Sequence, residues 1–237
     1  MPSPFLTARW SNLCIFSYAV PPSLLQARVP PGLELDTRDE NAFVSVVAFD
    51  FLDTRVLGVA WPGYRNFPEL NLRFYVRHGE ERGVVFVREF VQSRVVTLLA
   101  RLTYNEPYRA APLQSVIDDG TDEIRVEHRL LWRGRTFTLS ATGRKPAFVP
   151  AENSDEHFFK EQRWGFGISR RGRTIRYEVR HEGWKVYPIA SSQHDLDWAY
   201  VYGPEWGVLQ KQAPCSTVLA VGSSIQLFPN RSLQADP

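Results

Sequence analysis

Two neighbouring stretches, Glu69-Leu-Asn-Leu-Arg-Phe-Tyr-Val76 and Val84-Val-Phe-Val-Arg-Glu-Phe-Val91, set chargeable groups at intervals inside otherwise apolar runs. Successive side chains of an extended chain alternate faces. Glu69, Asn71, Arg73 and Tyr75 therefore share one side, and Leu70, Leu72, Phe74 and Val76 the other. Carboxylate and guanidinium groups are costly to desolvate unless paired. If Glu69, Arg73, Glu89 and Arg101 point inward, they neutralise one another or a bound ion. Arg grips a carboxylate with two parallel hydrogen bonds, and a Glu raised in pKa by burial serves as acid or base. The ligand-binding candidates are thus Glu69, Asn71, Arg73, Glu89 and Arg101, and the catalytic candidates Glu69, Glu89 and His181. A buried salt-bridge network that only orders the sheet gives the same pattern, and so does a solvated outer face.

Arg88 and Glu89 are adjacent, so in a regular strand only one of them lines a cavity. Glu89 then shares its face with Val85, Val87 and Val91, and Arg88 with Phe86 and Phe90. His181 continues an apolar face ahead of Trp184, which fits a proton carrier at a strand end or, more commonly, a hydrogen-bonded core histidine. His157 and His194 lie in polar company and are expected to be solvated. No histidines are paired at ligand spacing and no CxxC occurs, so no metal site is expected. A Gly-x-Ser-x-Gly elbow and a Gly-rich phosphate loop are also missing. Trp61, Tyr64, Trp198, Tyr200, Tyr202 and Trp206 suit a planar ligand in principle, but core packing accounts for most aromatics in such a chain.

The elements that must position these groups read as strands. The 69–76 and 84–91 runs form a hairpin, preceded by a strand over 10–20, a short helix of about two turns over 23–29, and a buried strand over 42–51. Residues 56–67 are loop-like, with Gly58, Pro62 and Gly63, and are aromatic enough to cover something. The apolar run 95–104 has no clear type. Alternation predicts hairpins over 123–132 with 136–141 and over 164–169 with 174–181, and a last strand over 217–227. Ser154 caps a short helix over 154–161 that begins with Asp155 and Glu156. Short strands at close spacing without a βαβ rhythm predict a mainly β fold of antiparallel sheets with a few short helices, forming a barrel or packed sheets. No linker divides the 237 residues, so one domain with a core over about 10–228 is expected, with mobile termini.

Composition narrows the classes. The net charge is +2, and of 28 basic residues only Lys145, Lys160, Lys185 and Lys211 are lysines; the arginines are spread along the chain, which argues against a nucleic-acid tail. Arg171-Gly-Arg173 reads as a hairpin tip. Cys14 and Cys215 have no disulfide-like or zinc-like spacing. Neither a leader pattern nor a run approaching about 18 apolar residues is present, so a soluble cytoplasmic protein without membrane contact is expected.

Trp10-Ser-Asn-Leu13, Val29-Pro-Pro-Gly-Leu-Glu-Leu35, the Glu69–Val76 run, Gly83-Val-Val-Phe-Val-Arg-Glu89, Tyr104-Asn-Glu-Pro-Tyr108 and His181-Glu-Gly-Trp184 together resemble the YqjF-like family of uncharacterised bacterial proteins over about residues 10–228. That family is similar to the acetoacetate decarboxylase-like superfamily, which implies sheets curled into a barrel or cone around an internal cavity. In the decarboxylases a lysine after the Arg-Glu pair forms a Schiff base, activated by a neighbouring lysine. Here that stretch is Arg88-Glu-Phe-Val-Gln-Ser-Arg-Val-Val-Thr97, without a lysine, and Arg94 cannot replace an amine nucleophile because a guanidinium stays protonated. The remaining lysines lie outside the motif, so only folding brings one to the cavity. The expectation is a protein that binds a small polar or carboxylate-bearing metabolite without a cofactor, or a non-covalent acid/base enzyme on a keto acid. A third reading is a structural or partner-binding protein; oligomeric state is left open.

Overall fold

The computed structural model describes residues 3–95, 97, 105 and 107–233. Strands β1 (Leu6–Val20), β2 (Glu34–Leu35), β3 (Ala42–Val56), β4 (Phe67–His78) and β5 (Glu81–Val91) come first. Then follow β6 (Tyr108–Ala110), β7 (Leu113–Asp119), β8 (Glu123–Trp132), β9 (Arg135–Arg144) and helix α1 (Asp155–Lys160). The chain continues through β10 (Trp164–Ile168), β11 (Thr174–His181), β12 (Val186–Tyr187), β13 (Ile189–His194), helix α2 (Trp198–Tyr202), β14 (Ser216–Ala220) and β15 (Ser224–Leu227).

Pairing closes β1, β15, β11, β10, β5, β4 and β3 into a seven-stranded barrel. A separate four-stranded sheet runs β13-β9-β8-β7. The β-branched and aromatic runs of β3 and β4 are covered on both faces, whereas β8 alternates buried and exposed residues. Residues 69–76 are buried throughout, so the alternation separates two cores rather than core from water. One core includes Ile15, Val47, Phe49, Tyr75, Tyr177, Val179 and Ile225, drawn from strands all round the ring, and fills the barrel. The other, with Phe16, Val46, Leu72 and Phe74, lies on the outer face beneath Val126, Leu130 and Leu139 of the second sheet. Gly165 lets the barrel fill: a Cβ there would lie 2.1 Å from the Tyr177 ring.

Several expected elements take other forms. The 23–29 segment makes two short 3-10 turns, Pro22–Leu24 and Gln26–Arg28, instead of one helix, because prolines flank it and no side chain caps either turn. The last strand is two, β14 and β15, broken at Gly222, whose φ of +81° and approach to the Trp10 carbonyl exclude a side chain. Within residues 56–67, Trp61 is 54% exposed, whereas Trp198 and Trp206 are fully buried as core. His194 is not solvated: it contacts the Tyr18 hydroxyl and packs edge-on against Phe16 and Trp198. The 154–161 helix forms as α1, capped by Ser154, which accepts the His157 N–H at 3.2 Å. Most of the 95–104 run lies outside the described residues.

Candidate functional site

The β4 face that carries Glu69, Asn71, Arg73 and Tyr75 points into the barrel. Asn71 pairs with Val47 on β3 and with Glu89 on β5. Glu69, Asn71, Arg73 and Glu89 are all buried, at 3%, 2%, 8% and 2% exposure. The face of Glu89 is decided by a β-bulge: Leu72 pairs with Arg88 but Arg73 with Phe86, so Val87 is the extra residue. Glu89 thereby joins Val91, Phe86 and Val84 inside, and Arg88 joins Phe90 and Val85 outside. Strict alternation, which grouped Glu89 with Val85 and Val87, fails at this one residue. Arg88 donates to the Val201 carbonyl and ties α2 to the barrel wall.

Glu69 is the centre of the interior cluster. Asn71 Nδ2 donates to its Oε1 at 3.0 Å and the Tyr108 hydroxyl to its Oε2 at 3.0 Å. Burial raises the Glu69 carboxyl from 4.5 to about 7, against the opposing pull of the Asn71 and Tyr108 hydrogen bonds and the Arg73 charge. Burial together with the Glu69 and Glu89 charges holds the Tyr108 phenol well above its ordinary range, so it stays a donor. Arg73 Nη2 donates to the Phe159 carbonyl at 2.8 Å, where α1 plugs the barrel. The same carbonyl accepts from Tyr75, which continues through Ser45 to Ser17 in a buried polar chain. Among the described residues, Asn71 Oδ1 and Arg73 Nε are buried without a hydrogen-bond partner.

Two sequence candidates are not in this cluster. Arg101 lies outside the described residues. His181 belongs to a second network, stacked on Trp184 at 4.4 Å, donating from Nδ1 to the Glu182 carbonyl at 2.9 Å, and 3.8 Å from Glu161. Lys160, which sequence distance placed away from the barrel motifs, is buried by α1 and pairs with Glu161. Arg94 is exposed. Tyr108 was missed as a site residue; its signal was membership of the Tyr104-Asn-Glu-Pro-Tyr108 motif, which says nothing of where its hydroxyl points. Among the described residues no group of three or more His, Cys, Asp and Glu is arranged to hold a metal ion, and no helix is long and apolar enough to cross a membrane.

A family model for uncharacterised conserved proteins, DUF2071, matches residues 7–223. The chain belongs to the DUF2071 family. A relative, the uncharacterised protein YqjF of Bacillus subtilis (strain 168), is 38% identical over 108 residues, a match spanning 45% of this chain and 44% of YqjF. The fold extends the likeness further. An acetoacetate decarboxylase-like enzyme from Sphingomonas wittichii RW1 superposes with TM-score 0.69 at 14% identity, covering 98% of this chain and 94% of the other. The enduracididine biosynthesis enzyme MppR, complexed with pyruvate, gives 0.67 at 15%, covering 99% and 91%. Acetoacetate decarboxylase from Legionella pneumophila gives 0.63 at 15%, covering 98% and 88%. At such identities the likeness concerns fold, and the DUF2071 barrel is of the acetoacetate decarboxylase-like type.

Proposed function

We propose that the barrel interior of this DUF2071 protein binds a small carboxylate-bearing metabolite, of which 2-oxo acids are the leading class. Glu69, Asn71, Arg73, Glu89 and Tyr108 form the site. The observation that carries this reading is the Glu69 carboxyl: it is buried, contacted by two donors and raised to about 7, beside the Arg73 guanidinium. Asn71 Oδ1 and Arg73 Nε lack partners among the described residues, and a polar ligand would satisfy them. A fold relative holding pyruvate favours the 2-oxo acid class.

An enzymatic reading rests on the same carboxyl. A Glu that titrates near neutrality moves a proton in either direction, so it would donate to a ligand carbonyl or remove an adjacent proton without a covalent intermediate. Schiff-base chemistry is not part of the proposal, since the 88–97 stretch has no lysine and the Lys160 amine is engaged by Glu161. Thermal-shift titration with pyruvate and related 2-oxo acids tests binding: the wild type gains stability and R73A, still folded, gains none. Equal stabilisation of R73A removes Arg73 from the site. Borohydride added with pyruvate leaves the protein mass unchanged; an adduct on Lys160 would reverse the rejection of covalent chemistry.

A further inference from the structure

A second polar cluster lies outside the barrel, at the floor of a groove of about 790 Å3 between the barrel rim and the four-stranded sheet. The groove walls include Leu52, Phe67, Leu113 and Leu131, and none of Glu69, Asn71, Arg73 or Glu89 lines it. Ser115 and Asp50 do line it. Ser115 Oγ is 2.8 Å from His128 Nδ1 and 2.6 Å from Asp50 Oδ1. His128 Nε2 lies 2.9 Å from the Asn12 carbonyl, and the Asn12 amide donates to Asp50 Oδ2 at 2.9 Å. Four strands meet here: Asn12 from β1, Asp50 from β3, Ser115 from β7 and His128 from β8.

The donors and acceptors of this cluster fix where its protons sit. A carbonyl only accepts, so His128 Nε2 carries a hydrogen, and in the neutral ring the lone pair is on Nδ1, facing Ser115. Burial lowers the His128 pKa against the pull of Asp50 and the Asn12 carbonyl, which favours that neutral form. The Ser115 hydroxyl thus has one proton and two facing acceptors. A nucleophile bonded to a base, and that base oriented by a third group, are the parts of an activated serine.

We propose that Ser115 is the nucleophile of a second site, for esters of small apolar acids, with His128 as its base and Asn12 as the positioning residue. Ser115 Oγ bonds to the ester carbonyl carbon while its proton passes to His128 Nδ1, and Asp50 lies close to the imidazolium that results. The tetrahedral species collapses with cleavage of the carbon–alkoxy bond, and the alkoxide takes the proton from His128. Water then attacks the acyl-serine through the same relay, releasing the acid and restoring the hydroxyl. Asn66 lines the groove with its Oδ1 occupied by the Asp53 N–H at 2.8 Å, which leaves its amide hydrogens to meet the carbonyl oxygen. The apolar walls select the acyl chain.

The full-length protein treated with a fluorophosphonate tests the assignment. One adduct is expected, mapped to Ser115 and missing from S115A, with p-nitrophenyl butyrate turnover in S115A lower by about 100-fold or more. H128Q should slow labelling by about 10-fold or more, the lower range for loss of a general base. No adduct, an adduct elsewhere, or wild-type turnover in S115A overturns the proposal. Because His128 is fully buried, S115C provides an independent measurement. Its thiol should alkylate with a pH midpoint well below the usual value of about 8.5, whereas an ordinary midpoint counts against activation by His128.

Discussion

The barrel interior and the junction between barrel and second sheet each bury a titratable cluster, and burial acts on them with opposite signs. Inside the barrel the central group is an acid, and desolvation raises Glu69 toward about 7. At the junction the central group is a base, and desolvation lowers His128 below 6.5. Both are driven toward the neutral form, since charge is what a low-dielectric interior penalises. The difference lies in what surrounds them. His128 has a partner at each ring nitrogen, while Asn71 Oδ1 and Arg73 Nε beside Glu69 are buried without one among the described residues. The contacts at His128 hold hydroxyl and base in register between the two sheets, whereas the spare valences beside Glu69 are open to a ligand's own hydrogen bonds.

The largest expected effect breaks the braced cluster. H128A removes a fully buried ring and leaves the Asn12 carbonyl without its donor, and should cost about 3–4 kcal/mol in urea unfolding. A cost below about 1 kcal/mol would show that the junction is not held this way. E69Q should act in the reverse sense. The folded pKa of Glu69 exceeds its unfolded value, so the wild type is favoured below about pH 4.5 and loses stability as pH rises toward about 7. E69Q removes that loss and should gain about 3 kcal/mol on wild type at pH 8 relative to pH 4. For His128 the folded pKa is lower than the unfolded one, so its contribution is full above 6.5 and is lost as pH falls below it. An E69Q difference that is flat with pH would remove the barrel half of the comparison.

Smaller effects sharpen it. Y108F deletes one donor to Glu69, should cost about 1 kcal/mol, and should raise the Glu69 pKa further because that hydrogen bond lowers it. Carboxyl titration by isotope-edited infrared spectroscopy would show the shift; a fall would mean that Tyr108 acts mainly through its packing. R77A, at an ion pair with Glu34 whose partners are 51% and 73% exposed, should change stability by no more than about 0.5 kcal/mol.

Much of the fold was legible in sequence because strand alternation is local. The 69–76 alternation separated the two faces correctly, and the Thr174–His181 strand appears with the bounds that its pattern suggested. The 23–29 segment misled because its good helix formers occupy too short a stretch between prolines, without a side-chain cap, to sustain an α-helix. The face of Glu89 depended on one inserted residue, Val87, whose bulge has no local signature in a uniformly apolar run.

By itself, the sequence determined that the chain forms β-strands with charged groups on one face of a hairpin, and that no lysine occupies the 88–97 stretch. Only tertiary structure decided that this face points into a closed barrel, that Tyr108 reaches Glu69 across 39 residues, and that Ser115 meets Asp50 across 65. The reason is physical: side-chain alternation is a property of a few consecutive residues. Which groups share a desolvated space, and so which pKa values move, depends on ring closure and on sheets docking between strands far apart in the chain.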